Sequence, residues 1–166
     1  MKEYKNFLIY GSGQLVNLIS PLLVAPKVIE VCGINNWGKI GVATSIFFII
    51  NTIIDFGSNL IGIKNISINI ENPDEIKKIL NETYFLRFFI LLISIITLLL
   101  LIYVLDKNNF ILYLFGVPIL VSQFFNPIWY FQGNEKFKDI NKIVFYSKII
   151  YLSAIFLFVS KKENYI

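Results

Sequence analysis

The chain has 166 residues, of which 56% are hydrophobic and only 16% are charged; a water-soluble domain of this length cannot bury so much apolar surface, so most of it is expected to face lipid. The chain contains no histidine and a single cysteine, Cys32, which excludes a metal cage of His and Cys ligands and an internal disulfide. The formal net charge is +4, but the Lys and Arg residues are scattered between apolar segments, a pattern that argues against a nucleic-acid partner and suits a membrane topology signal.

Five apolar segments are long enough to cross a bilayer as helices, given a rise of about 1.5 Å per residue and roughly 30 Å of hydrocarbon. In chain order they are residues 7–24, 40–63, 84–105, 110–131 and 143–159. The sequence therefore predicts an all-α, polytopic transmembrane helix bundle, with residues 1–166 as a single transmembrane domain.

The N-terminus begins like a signal peptide, but polar residues and glycines between Gly11 and Gln14 interrupt its apolar run. No small-residue cleavage site follows, so we expect a retained first helix. With the N-terminus in the cytoplasm, Lys and Arg are more numerous on the inner side of the membrane than on the outer side. The positive-inside rule therefore predicts a multi-pass protein of the cell inner membrane with a cytoplasmic N-terminus.

The longest loop, residues 64–81, contains a helix-start signal before the third span. Asn72 is suited to cap a helix, Pro73 to occupy its first position, and Asp74 to meet the positive end of its dipole. We therefore expect the third span to begin as an interfacial helical stub. Prolines in or beside the other spans predict kinks; they are Pro21, Pro26, Pro118 and Pro127.

Polar residues are costly inside a membrane, so their angular positions indicate which helix faces avoid lipid. At about 100° per residue, the small and polar residues of the first, second and fourth spans each fall on one face. The candidates for lining a polar groove are Tyr10, Gln14, Asn17, Asn51, Ser122, Gln123, Asn126 and Tyr130. Such faces are also typical of helix-packing seams. We favour a hydrated cavity, because the faces run nearly the full depth of the membrane.

Three charged residues lie within the predicted spans. Asp55 is a candidate site for a coupling cation or proton, or else a packing residue that a nearby Lys, Arg or water meets. Arg87 and Lys148 are candidates for binding a headgroup phosphate. For both of these residues, anchoring by snorkelling to the cytoplasmic surface is the favoured alternative.

Residues 126–138 read NPIWYFQGNEKFK. This stretch resembles the P-x-W-Y-F-Q-G-x-E-x-x-K signature of the polysaccharide exporter, or O-antigen flippase, family of the multidrug/oligosaccharidyl-lipid/polysaccharide exporter superfamily. Three other patterns support the resemblance: Gly13-Gln14 with Pro21, Trp37-Gly38-x-x-Gly41, and Asp55-Phe56-Gly57. Within the signature, Trp129 and Tyr130 suit either the interfacial aromatic belt or stacking on a sugar.

The resemblance implies a bundle of about a dozen helices in two similar lobes around a central cavity, as in a MATE-like exporter. Such proteins move an undecaprenyl-diphosphate-linked oligosaccharide from the cytoplasmic to the outer leaflet during cell-surface polysaccharide synthesis. The five spans would then form an incomplete N-terminal lobe, a fragment of a longer protein. The implied partners are this lipid-linked substrate and membrane lipids, and other polysaccharide-assembly membrane proteins stay open as partners.

Other functions compete with this one. A drug or small-metabolite exporter of the same superfamily would share the polar faces but does not require the WYFQG signature. A structural membrane subunit would need partner chains. A membrane-embedded glycosyltransferase or polymerase is disfavoured, because the loops hold no acidic pair or metal-binding cluster and are too short for a catalytic domain. We therefore predict no enzymatic activity, no catalytic residues, no metal and no cofactor.

Overall fold

The computed structural model describes the backbone of residues 2–159 and the side chains of residues 10–159. Within these residues, every regular element is helical. The α-helices are α1 (Lys2–Cys32), α2 (Ile34–Asp55), α3 (Ile63–Ile68), α4 (Pro73–Leu105), α5 (Phe110–Phe124), α6 (Ile128–Gly133) and α7 (Phe137–Phe158). A π-helical segment, Ser58–Gly62, precedes α3, and a single 3-10 turn, Lys107–Asn109, precedes α5.

The described part of the chain has five stretches long and apolar enough to cross a membrane: Tyr10–Cys32, Ile34–Asp55, Pro73–Leu105, Lys107–Gly133 and Phe137–Phe158. The predicted all-α fold with five spans is therefore confirmed. Only 11% to 28% of the most apolar part of each span is buried within the chain. The remaining apolar surface suits helices that are solvated by lipid.

Two of the predicted spans, the second and the fourth, are not continuous helices. The predicted second span, 40–63, ends as a regular helix at Asp55. Phe56 and Gly57 then take left-handed backbone angles, with φ of 46° and 76°, and the π-helical segment follows. Left-handed angles do not fit a right-handed helix, and they cost little at a glycine.

The predicted fourth span, 110–131, is interrupted between Phe124 and Ile128. Pro127 lies in this gap and cannot donate a backbone hydrogen bond, so the predicted distortion is found there. Pro118, by contrast, lies inside the continuous helix α5. Pro21 and Pro26 likewise lie inside α1, which continues to Cys32, well beyond the predicted end at residue 24.

The start of the third span is confirmed in detail. Pro73 is the first residue of α4, and the Asn72 side-chain oxygen accepts a hydrogen bond of 3.2 Å from the backbone nitrogen of Glu75. The predicted stub and span form one helix of 33 residues, about 50 Å long at 1.5 Å per residue. Because the hydrocarbon is only about 30 Å thick, the charged first turns of α4 extend beyond it.

The chain divides into two compact units. The terminal unit comprises residues 1–39 and 135–166, and within it α1 packs against α7. Its core contains Val24, Val28, Val31 and Cys32. The central unit comprises residues 40–134. Its core contains Ala43, Phe47, Ile54, Leu91, Leu98, Ile102, Tyr113 and Leu120.

In the central unit, Gly116 of α5 is buried against the ring of Phe47. A Cβ at position 116 would overlap this ring. We expect Gly116→Ala to lower the free energy of unfolding by about 1–3 kcal/mol, because overpacking moves the neighbouring side chains. Chemical denaturation in detergent micelles measures this change.

The matched control is Gly41→Ala, since no atom lies within 4 Å of a Cβ built at Gly41. Alanine favours a helix over glycine, so this variant is expected to match or exceed the starting stability. Equal stabilities for the two variants would contradict the proposed close contact at Gly116.

Candidate functional site

The most polar buried site in the described part of the central unit surrounds Arg87, in α4. The Arg87 side chain is 1% exposed and that of its ion-pair partner Asp55 is 12% exposed. Ser58, Gln123 and Asn126 complete what we call the arginine cluster. Its members come from three regions of the chain: the end of α2 with the π-helical segment, α4, and the end of α5 with the gap before α6.

All three guanidinium nitrogens of Arg87 donate hydrogen bonds. Nη2 donates to Asp55 Oδ1 at 2.7 Å, and Nε donates to Ser58 Oγ at 3.0 Å. Nη1 donates to the backbone oxygens of Asn126 at 3.1 Å and Gln123 at 3.5 Å. The expectation that Arg87 snorkels to the surface is therefore wrong: its side chain turns into the unit, where an acidic partner neutralises it.

The break after α2 explains why the side chains of Asp55 and Ser58 are available to accept hydrogen bonds from Arg87. As the chain leaves α2 through Phe56 and Gly57, Asp55 Oδ2 accepts a hydrogen bond of 3.2 Å from the backbone nitrogen of Asn59. Ser58 Oγ donates to the backbone oxygen of Asp55 at 2.6 Å. The two side chains thus satisfy backbone groups that the break leaves unpaired, and each also accepts from Arg87.

The break after α5 supplies the other acceptors. In a continuous helix the Gln123 oxygen would accept from residue 127, but Pro127 has no N–H; this oxygen accepts instead from the Asn126 nitrogen at 3.2 Å. The Tyr130 nitrogen bonds to the Pro127 oxygen instead of to that of Asn126. Arg87 donates to the backbone oxygens of Gln123 and Asn126, and its positive charge suits the negative end of a helix.

The stability of the buried ion pair between Arg87 and Asp55 depends on these contacts. Moving two charges out of water costs several kcal/mol for each ion, and the pair is stable only where its other hydrogen bonds are made. Here Arg87 has acceptors for all its nitrogens and the pair carries no net charge. The cluster therefore joins the broken ends of two membrane spans to α4 without leaving a buried group unpaired on Arg87.

Trp129 of α6 closes one side of the cluster. It is 1% exposed, and the Arg87 Cζ atom lies 5.6 Å from its ring centroid. A Cβ on Gly62 would lie 2.8 Å from Trp129 Cε3, and one on Gly133 would lie 2.7 Å from Ile66 Cβ. Trp129 is thus a packing residue, and both expected roles, interfacial anchor and sugar contact, are wrong for it.

Comparison with known proteins identifies the chain's relatives. Residues 4–165 match the family described as "Polysaccharide biosynthesis protein". The chain belongs to this family. A relative in Escherichia coli (strain K12), named "Putative O-antigen transporter", is 26% identical over 163 residues, which cover 96% of this chain and 39% of the relative. No solved structure matches the chain.

The family match confirms the resemblance inferred from the WYFQG signature, and the chain is a multi-pass membrane protein. It spans only 39% of the length of the curated relative that it matches. In this family member the signature residues Trp129 and Gly133 are both buried, so they carry the packing between α6, α3 and Arg87.

The structure brings together three of the polar candidates of the central unit. Gln123 Nε2 donates to Asp55 Oδ1 at 3.4 Å, and Asn126 Nδ2 donates to Gln123 Oε1 at 3.3 Å. The Asn51 side-chain oxygen is buried and has no hydrogen-bond partner among the described residues. Ser122 is exposed and bonds back to its own helix, at the Ile119 oxygen. Tyr130 is half-buried.

In the terminal unit, the Tyr10 ring packs edge-on against Phe137, with ring centroids 5.9 Å apart. Gln14 and Asn17 are half-buried in α1. The Lys148 nitrogen lies 5.4 Å from the ring centroid of Tyr151, one turn further along α7. Whether these residues line a groove or bind a phosphate stays a prediction.

Sequence reasoning placed Ser58 on the polar face of its span but did not identify it as a partner of Arg87. A signal was available, since the second and third predicted spans each hold one charged residue, and the two charges are opposite. Pairing inside the bundle is the least costly arrangement for such residues. The described residues contain no group of three or more Cys, Asp or Glu side chains that could hold a metal ion.

Proposed function

We propose that this chain is part of a transporter that moves a polyprenyl-diphosphate-linked oligosaccharide across the cell inner membrane. The N-terminus would be cytoplasmic, and the protein would act by alternating exposure of a polar groove, without enzymatic chemistry. Family membership and the name of the Escherichia coli relative support this proposal. The activity belongs to the longer protein, of which this chain would form part of the N-terminal lobe.

The observation that carries the proposal is the pair of broken spans in the central unit. Irregular backbone at membrane depth is tolerated only where protein buries it or where it lines a cavity. Discontinuous helices of this kind are typical of transporters, whose substrates bind near the breaks. Asp55, Gln123 and Asn126 lie at these breaks.

The task requires polar residues within the membrane. A sugar headgroup with a charged diphosphate would lose strong hydration in hydrocarbon, where one charged side chain already costs about 2.5–3.5 kcal/mol on insertion scales. Amide side chains such as Asn51 can replace part of that hydration by bonding to sugar hydroxyls. The prenyl tail can remain in lipid beside the helices.

Asp55 remains a candidate for the coupling site, under a condition that the geometry sets. In this structure the Arg87 guanidinium neutralises the Asp55 carboxylate at 2.7 Å. A coupling cation or proton at Asp55 would therefore have to replace Arg87 as its partner.

Transport is tested in cells that express the full-length protein containing this chain. Its depletion is expected to leave lipid-linked repeat units on the inner leaflet, measured by their resistance to a glycosidase added from outside. Normal delivery to the outer leaflet would contradict the proposal. Transport of cationic dyes without delivery of repeat units would identify a drug exporter instead.

The role of the polar face is tested with Asn51→Leu. Loss of one hydrogen bond to substrate, about 1 kcal/mol, predicts a roughly fivefold slower delivery of repeat units. The matched control is Thr52→Val, because Thr52 is exposed and its hydroxyl already bonds to the Phe48 oxygen of its own helix. Delivery rates are compared at equal protein abundance. Equal delivery rates for the two variants would show that Asn51 does not line the groove.

A further inference from the structure

A cavity of about 290 Å³ lies between α1 and the first half of α7, entirely within the terminal unit. Ser12, Lys138, Asn141 and Lys142 contribute polar groups to its lining. Val16, Val144 and Phe145 contribute apolar surface. Its volume is near the lower end of the range for ligand sites, about 300 Å³. The arginine cluster belongs to the other unit and shares no residue with it.

The charge of the cavity lining is positive. Lys138 and Lys142 are four residues apart in α7, so they lie on the same face of that helix. Among the residues whose side chains the structure describes, no aspartate or glutamate lines the cavity. Asp139 lies nearby, with its Oδ1 3.5 Å from the Lys142 nitrogen, but these side chains are 47% and 70% exposed. An exposed pair of this kind contributes at most about 1 kcal/mol, so it does not hold Lys142 in place.

The neutral polar group of the lining is held in position. Asn141 Nδ2 donates to Ser12 Oγ at 3.1 Å, a bond that joins α7 to α1. Gly13, beside Ser12, makes room for Asn141, since a Cβ there would overlap the Asn141 side-chain oxygen. Contacts between the two helices therefore position the Asn141 side chain at the cavity.

The position of the cavity relative to the membrane favours an amphiphilic ligand. Lys138 and Lys142 lie in the first two turns of the span Phe137–Phe158, where lysine side chains reach the headgroup layer. Val16, Val144 and Phe145 offer contact to an acyl or prenyl chain. Positive charge beside apolar surface fits an anion with a lipid tail better than a free anion.

We propose that this cavity binds the phosphate headgroup of an anionic lipid, with Lys138 and Lys142 facing the phosphate charge and Asn141 as a further hydrogen-bonding group. Binding of anionic lipids does not depend on the proposed transport activity. The further identification of the ligand as a polyprenyl phosphate carrier does rest on that activity. The two sources share one chemistry, a phosphate on a lipid.

The test measures lipid retention by native mass spectrometry of the purified full-length protein that contains this chain. The probes are undecaprenyl phosphate, phosphatidylglycerol and, as a zwitterionic reference, phosphatidylcholine. Each lysine near a membrane surface contributes about 1 kcal/mol toward an anionic lipid. The double variant Lys138→Gln, Lys142→Gln is therefore expected to weaken retention of the anionic probes by about 10- to 30-fold.

The matched control is Lys136→Gln, an exposed lysine at the same end of α7 that does not line the cavity. A second variant, Val16→Phe, fills the cavity and leaves both lysines in place, and it is expected to weaken retention as well. Equal retention by the double variant and by Lys136→Gln would overturn the proposal. A selective loss of undecaprenyl phosphate would identify the lipid carrier, and an equal loss of phosphatidylglycerol would identify a general anionic-lipid site.

Failure of this proposal can be distinguished from failure of the proposed function. If repeat units are delivered normally by the double variant and lipid retention is unchanged, the cavity proposal is wrong and the transport function stands. If the protein delivers no repeat units but lipid retention still depends on Lys138 and Lys142, the transport function is wrong and the lipid site stands.

Discussion

Arg87→Gln is expected to lower the free energy of unfolding by about 3–5 kcal/mol, the cost of removing one partner from a buried ion pair. The substitution leaves the Asp55 carboxylate without its 2.7 Å partner and the Asn126 oxygen without its 3.1 Å donor. Both acceptors are at least partly buried, and a buried acceptor that loses its donor is costly. Denaturation of the purified protein in mixed micelles measures the loss.

Two further variants separate the ion pair from a general effect of lost charge. Lys77→Gln removes one positive charge from an exposed position of the same helix, α4, and should change stability by less than about 0.5 kcal/mol. Adding Asp55→Asn to Arg87→Gln should recover part of the stability, because no unpaired charge then remains buried. Strictly additive losses would show that the two side chains do not interact.

Trp129→Ala is expected to cost about 3–5 kcal/mol, the usual range for removing a large aromatic side chain from a core. The indole is 1% exposed, lies over the Arg87 guanidinium and fills the space beside Gly62. Its removal would leave a cavity beside the ion pair and would also reduce the buried apolar surface. Thermal unfolding followed by circular dichroism measures the effect.

The comparison variant is Phe125→Ala, a residue 64% exposed in the gap before α6. It removes an aromatic ring from nearly the same place in the chain but from the surface, so only a small change is expected. Trp129→Phe should fall between the two, since it keeps a smaller ring. A Trp129→Ala protein as stable as Phe125→Ala would show that the signature tryptophan is not a core residue.

Local chemistry made several features of the fold predictable. The apolar segments indicated all five spans, because length and hydropathy alone decide which segments cross a bilayer. The start of α4 followed from Asn72 and Pro73, whose preferences act within a single turn. The distortion at Pro127 followed from its missing N–H.

The break at Phe56 was not predictable by the same reasoning. Phenylalanine rarely adopts left-handed angles. Asp55, Gly57, Ser58 and Asn59 would suit a turn, but they also fit the polar face of a continuous helix that goes on through the apolar Leu60 and Ile61. Asp55 and Arg87 were both identified as charged residues within spans, but their pairing joins positions 32 residues apart. The sequence also left the direction of the Arg87 side chain undecided, since a long side chain near the end of a span can reach the headgroups or turn inward.

One consequence follows from where Arg87 lies along α4. Counting from Leu105 at the other end of the helix, the guanidinium is placed roughly 27 Å away at 1.5 Å per residue, close to one edge of the hydrocarbon. In the described part of the central unit, every side-chain hydrogen bond between separate helical elements involves Arg87 or Asp55. Toward the opposite leaflet, Leu98, Ile102 and Tyr113 pack through dispersion contacts, which lack direction. The helices of this unit are thus restrained unequally. Hydrogen bonds join them near one leaflet, whereas near the other leaflet only apolar packing holds them, so they can separate more easily there.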